Sequence, residues 1–158
     1  MTPPNRPGAA PVSETAKELV EAARAAAGQA YAPYSNFYVG AAIRTADGRV
    51  FTAANVENAS YGLSLCAEAN AVAAAAVAGS RVITEVAVVG YPANLPPDDT
   101  LAAPCGRCRQ MIAEFAASGA RIHLANRALT RVTTHTIEEL LPLAFGRAAL
   151  VGTPPADT

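Results

Sequence analysis

Tryptophan is absent from this sequence of 158 residues, cysteine occurs three times and histidine twice, and 12 lysines and arginines face 13 aspartates and glutamates for a net charge of −1. Each scarcity excludes something. With no basic patch and only 6% aromatic residues, a groove that follows a polyanionic strand is not expected, so nucleic acid is excluded as a partner. No stretch reads as a membrane-spanning helix, and the opening "MTPPNRPGAAPV" lacks the apolar segment of a signal peptide, so no membrane association and a cytoplasmic location are expected. Three cysteines are an odd number and make no disulfide framework. In a reducing compartment, spaced cysteines point instead to metal or catalysis.

The length fits one domain with a sizeable core and is short for two. At 51% hydrophobic and rich in alanine, the chain suits tightly packed helices. Residues 1–12 read as a flexible leader and 153–158 as a polar tail, leaving a single domain over 13–152. Thr15 and Glu18 have capping-box spacing, and Leu19, Val20 and Ala23 share a face, which predicts a helix over 15–27. Two strands, 38–45 and 49–56, flank the hairpin signal Asp47-Gly48. Residues 66–78 are small and apolar all round, a helix buried on most sides and ended by Gly79. A strand "EVAVVG" (85–90), a helix over 106–118 and a strand "RIHLA" (121–125) follow, with room for one more strand before a short helix over 138–141. This order predicts a three-layer α/β/α sandwich with a mixed central sheet.

All three cysteines stand at predicted helix starts, in "LSLCAEANAV" (63–72) and "APCGRCRQMI" (103–112). Free backbone N–H groups and the helix dipole stabilise negative charge there, and the thiolate is the metal-binding form. Cys105 and Cys108, three apart, can reach one ion from one turn, and Cys66 supplies a third sulfur from the other helix. Zinc takes thiolates in tetrahedral geometry, and three protein ligands leave one position for water, as in catalytic sites. A closed structural site needs a fourth ligand. The only histidines offered for it are His123, expected as a half-buried strand residue, and His135, expected to be exposed. Glu68, two residues past Cys66, either serves the helix dipole or, beside an open zinc position, moves protons as general acid and base.

With "CAE" and "PCGRCRQ" present together, the sequence resembles the cytidine deaminase superfamily. "YAPYSNFYVGAAI" (31–43), "NVENASYG" (55–62) and "IEELLPLAFG" (137–146) resemble, more narrowly, the small homotetrameric zinc-dependent cytidine deaminases. The resemblance spans about 15–146. It implies one zinc per chain on Cys66, Cys105 and Cys108, with Glu68 as the catalytic proton shuttle. It further implies that Asn55 and Glu57 hold sugar hydroxyls and that Phe37 packs on the pyrimidine, although a lone aromatic is usually ordinary core. The backbone N–H of Ala67 orients the base, and Tyr61 and Phe145 approach a site across subunit boundaries of a homotetramer. The implied reaction is hydrolysis at C4 of cytidine or 2′-deoxycytidine, giving uridine or deoxyuridine and ammonia in pyrimidine salvage.

One departure stands out. Many members of the family read Cys-Ala-Glu-Arg, whereas Ala69 follows Glu68 here. Three thiolates on a dication leave a net −1 centre, so Arg107 or Arg109 is expected to replace part of the missing charge. "PCGRCRQ" also occurs in fungal-type blasticidin S deaminases, which lack the glutamate at the position of Glu57. Glu57 therefore favours an ordinary sugar over the alternative substrates, blasticidin S or an N4-substituted cytidine. A structural zinc module and an editing deaminase on RNA or DNA are the other rivals.

Overall fold

In the computed structural model, which describes residues 13–151, five strands form one sheet in the order β2-β1-β3-β4-β5. The elements are α1 (Glu14–Ala27), β1 (Phe37–Thr45), β2 (Val50–Ala54), a 3₁₀ turn (Tyr61–Leu63), α2 (Ala67–Val77), β3 (Ile83–Pro92), α3 (Gly106–Phe115), β4 (Ala116–Ala125), β5 (Val132–Thr136), α4 (Ile137–Leu140) and α5 (Arg147–Val151). Only β3 and β4 run parallel; the other pairs are antiparallel. The mixed sheet and the three layers agree with expectation. The leader and the tail lie outside the described residues.

Strand alternation divides the core. Ala41, Ile43, Val86, Val88, Ile122 and Leu124 face α2, α3 and α4, where Ala71, Val72, Ile112 and Ile137 complete the packing. Ala42, Ala87, Val89 and Ala125 face α1 through Leu19, Val20 and Ala23. The helix α1 lies so close to β1 that a Cβ on Gly40 would sit 1.9 Å from the Ala23 carbonyl oxygen and 2.4 Å from the Ala27 nitrogen.

Several expectations are corrected. The helix α1 is capped by Ser13, whose hydroxyl accepts from Ala16 N–H at 3.2 Å, so the Thr15–Glu18 box does not form. A capping box does form at Thr136 and Glu139 of α4, one residue earlier than the expected helix. The helix α3 ends at Phe115 rather than Ser118, because Ala116 turns extended and pairs with Ile83. Ladder bonding there outweighs the helix propensity of alanine. The helix α2 keeps Ala67, Ala69, Ala71, Val72 and Ala75 buried, but Ala73, Ala74 and Val77 are exposed, so one side is open in the single chain.

Both histidines sit deeper than expected. His135 is half-buried, and His123 is 2% exposed on the α1 face of β4. Its Nδ1 pairs with Thr134 Oγ1 at 2.9 Å, and its Nε2 lies 3.5 Å from Glu85 Oε1 with no hydrogen-bond partner among the described residues. Glu85 is itself held by Arg44 at 3.0 Å and Arg121 at 2.5 Å. Burial, the largest influence, pushes the imidazole below its ordinary value of 6.5, with Arg121 acting in the same direction and Glu85 against it.

Gly40→Ala is expected to cost about 3 kcal/mol or to prevent folding, since both obstructing groups are backbone; a midpoint of thermal unfolding equal to that of the wild type would show that α1 can move away. His123 takes up its proton more readily when unfolded, so its contribution is whole above about pH 6.5 and is lost as pH falls below that value. The fall in thermal midpoint between pH 7.5 and pH 5.5 should shrink in His123→Gln, and an unchanged fall would assign it to other groups.

Candidate metal centre and substrate cavity

Cys66 is the N-cap residue of α2 and Cys105 that of α3, while Cys108 lies in the first turn of α3. The three sulfurs all lie within 4.8 Å of one another, and those of Cys66 and Cys105 are 4.0 Å apart. Tetrahedral zinc with sulfurs at about 2.3 Å spaces them by roughly 3.8 Å, so the set fits zinc with little adjustment. Cys108 is buried, Cys66 half-buried and Cys105 exposed. Burial pushes the Cys108 thiol up, and the charges of Glu68 and Cys66 add to it; the Cys66 thiol is also raised, first by burial. For Cys105, burial acts upward, but the Cys108 backbone N–H and thiol outweigh it and the net shift is down. A dication among the sulfurs lets all three ionise together.

Neither histidine belongs to this cluster, and among the described residues no fourth His, Cys, Asp or Glu completes it. His123 is on the opposite face of the sheet, alternating with Ile122 and Leu124, which face the metal side. Glu68, in the first turn of α2, is 5% exposed, and burial chiefly raises its carboxyl above the ordinary value. A raised carboxyl beside an open metal position suits proton transfer near neutral pH.

The charge-replacing role expected of the two arginines has no hydrogen bond to a sulfur behind it among the described residues. The Arg109 guanidinium donates from Nε to the Pro104 carbonyl and from Nη1 to the Leu140 carbonyl, both at 2.8 Å. It bolts the start of α3 to the end of α4. Arg107 is exposed, and neither arginine is hydrogen-bonded to a sulfur. The N-termini of α2 and α3 are the positive ends that face the sulfurs directly.

A cavity of about 280 Å³ opens beside the cluster, lined by Cys66, Cys105 and Glu68, by Asn55, Glu57 and Ser64, and by the apolar Phe37, Val39, Leu65, Ala67, Val88, Ala102 and Ala103. It brings together Phe37, Asn55, Glu57, Ala67 and Glu68. The Asn55 amide is a bracket: its Oδ1 accepts from Val39 N–H and its Nδ2 donates to the Phe37 carbonyl, both at 2.9 Å. Glu57 accepts from the Tyr34 and Ser35 backbone N–H groups at 2.9 and 3.1 Å.

The single chain does not bring in the other two. Tyr61 is 75% exposed and packs edge-on to Tyr34 over a neighbouring cavity of about 270 Å³ shared with Ser35, Glu57 and Ser64. Phe145 is 60% exposed and lines neither cavity. Sequence reasoning missed Val39, Leu65, Val88 and the Ala102–Ala103 wall. One signal was present: Gly90 interrupts an apolar strand, and a Cβ there would meet Ala102 Cβ at 2.6 Å and Phe37 Cε1 at 3.1 Å.

The family model of the cytidine and deoxycytidylate deaminase zinc-binding region matches residues 13–123, which contain all three cysteines and Glu68. The chain belongs to the cytidine and deoxycytidylate deaminase family. Family relatives agree over most of the chain. A cytidine deaminase of Halalkalibacterium halodurans is 42% identical over 127 residues, covering 80% of this chain and 91% of the relative. One of Mycobacterium tuberculosis is 44% identical over 126 residues, 79% of this chain and 84% of the relative. The crystal structure of cytidine deaminase from Burkholderia pseudomallei superposes with a TM-score of 0.73 at 46% identity, covering 82% of this chain and 98% of that one. In this family frame the three-sulfur cluster is a site for one zinc per chain.

The purified protein is expected to carry one zinc per chain by plasma emission spectrometry, and Cys108→Ala to lose nearly all of it; zinc retained in that variant would mean that another donor set holds the metal.

Proposed function

We propose that this chain is a hydrolase that deaminates cytidine, 2′-deoxycytidine or both to the corresponding uridine and ammonia, within one domain spanning 13–152. The observation that carries the reading is a zinc-spaced set of three sulfurs with no fourth protein ligand among the described residues, beside the buried carboxyl of Glu68 in a cavity. When bound, zinc supplies Lewis acidity and lowers the pKa of water towards neutrality.

The residues do the rest. Glu68 takes one proton from the attacking water and gives it to N3 of the ring, then takes the remaining proton from that oxygen, now on C4, and gives it to the departing amino group, which leaves as ammonia. The α2 N-terminus at Ala67 offers backbone N–H to the base. Phe37 lies against the ring, and Asn55 and Glu57 take sugar hydroxyls. Among the described residues no lysine or arginine lines either cavity, which favours an uncharged nucleoside over a nucleotide. A modified cytosine nucleoside, the alternative substrate, is not favoured: the relatives at 42% and 44% identity are cytidine deaminases, and Glu57 is in the cavity.

A homotetramer is part of the proposal. It is supported by the exposed apolar side chains of Tyr61, Leu63, Val77, Leu143 and Phe145, which need a cover, and by the open side of α2. In it, Tyr61 and Phe145 complete a neighbouring subunit's site. A cytoplasmic location in pyrimidine salvage is supported by three free thiols, which a reducing compartment preserves. Among the described residues no helix is long and apolar enough to cross a membrane.

Glu68→Gln is expected to keep its zinc and lose about 10²–10⁴-fold in ammonia release from cytidine. Undiminished release by that variant, or none from zinc-loaded, folded wild type, would overturn the reading.

A further inference from the structure

Glu57 is held more tightly than a residue that merely borders a cavity. A carboxylate offers about four acceptor positions. On Oε2, two are taken by the backbone N–H groups of Tyr34 and Ser35, at 2.9 and 3.1 Å. On Oε1, one is taken by the Ser35 hydroxyl. The direction of that last bond is settled by its neighbour. Phe37 N–H donates to Ser35 Oγ at 3.0 Å, so the hydroxyl oxygen is an acceptor on that side and its only proton points to Glu57. Among the described residues, one acceptor position is left without a partner, on Oε1.

The backbone makes this geometry possible. Asn36, between Ser35 and Phe37, sits in the left-handed region at φ 54°, which asparagine tolerates better than most residues, and the reversal folds Ser35 Oγ back over Phe37 N–H. The turn is anchored at both ends: Asn36 N–H donates to the Ala32 carbonyl at 3.0 Å, and the Asn36 carbonyl accepts from Ala93 N–H at 2.7 Å. Glu57 N–H in turn donates to the Tyr31 carbonyl at 2.8 Å. The loop is thus a rigid seat for one carboxylate.

We propose that Ser35 is a positioning residue for substrate binding: its hydroxyl fixes the Glu57 carboxylate in one orientation, leaves it one open acceptor position for a sugar hydroxyl, and ties that position to the backbone of Phe37. The proposal rests on the reading that Glu57 takes a sugar hydroxyl. The same hydroxyl is the largest reason that Glu57 titrates below the ordinary carboxylate value. Sugar grip and ring contact are then set by one serine, and loss of its hydroxyl loosens the ground-state and transition-state complexes alike.

The test is steady-state kinetics on cytidine with zinc-loaded wild type, Ser35→Ala, Ser35→Thr, Glu57→Ala and the double variant Ser35→Ala/Glu57→Ala. Ser35→Ala is expected to raise KM about tenfold, the worth of one hydrogen bond to a charged group, with kcat within about twofold. Ser35→Thr, which keeps a hydroxyl, should return KM to within about threefold of wild type. In the Glu57→Ala background, Ser35→Ala should change KM by less than about twofold, because its partner is gone. An unchanged KM in Ser35→Ala, a kcat that falls as KM rises, no rescue by threonine, or full additivity in the double variant would overturn the proposal while leaving Glu57 its role. A Glu57→Ala variant with wild-type KM would instead remove the sugar assignment of Glu57, and the proposal with it.

Discussion

Three sulfurs and a carboxyl are packed at the junction of two helix N-termini, and this concentration of acid groups is the constraint on which the structure depends. Burial works against ionisation of Cys66, Cys108 and Glu68. Each negative charge also makes the next one harder. A dication resolves the conflict for the sulfurs and leaves Glu68, which is no part of the sulfur cluster, free to exchange protons. The family arginine is absent, and Arg109 serves the fold instead by bolting α3 to α4 through two carbonyls. Two helix N-termini meet at this centre, and among the described residues neither arginine is hydrogen-bonded to a sulfur.

The sheet exists to hold those helix ends in register. The strands β1 and β3 carry Val39 and Val88 into the cavity wall from one face, while their alternate residues pack on α1. Small residues make the close approaches possible. Gly40 lets α1 rest on the β1 backbone, and Gly90 leaves room for the Phe37 ring beside Ala102. Asn55 extends the same logic by bracketing β1 from Phe37 to Val39, so that a residue read as a sugar contact is also a structural clasp. One amide hydrogen and one oxygen lone pair of Asn55 remain for a ligand.

Much of the site was legible because its signals are local. Cysteine spacing, the glutamate two residues on, and helix starts at Cys66 and Cys105 need no tertiary knowledge. The hairpin at Asp47-Gly48 was legible for the same reason, and Gly48 takes the positive φ of 82° that the turn requires. Legibility failed where distant groups compete for one segment. Ala116 to Ser118 read as a continuation of the helix, but β4 begins at Ala116, which pairs with Ile83 of β3. His123 reads as an ordinary strand residue, yet Glu85, Arg121 and Thr134, from three strands, make its surroundings polar and closed. The N-cap of α1 is Ser13, two residues before Thr15, although serine and threonine both suit that position. Tyr61 and Phe145 lie outside the cavity beside the cluster in the single chain, which no local pattern announces.

The central claim is a zinc held by three sulfurs with one position left open. Zinc K-edge X-ray absorption of the purified protein tests it most directly. The account predicts three sulfur scatterers at about 2.3 Å and one oxygen or nitrogen at about 2.0 Å, without the outer-shell signature of an imidazole. Four sulfurs, or three sulfurs with a histidine, would mean a closed structural site and would contradict the account.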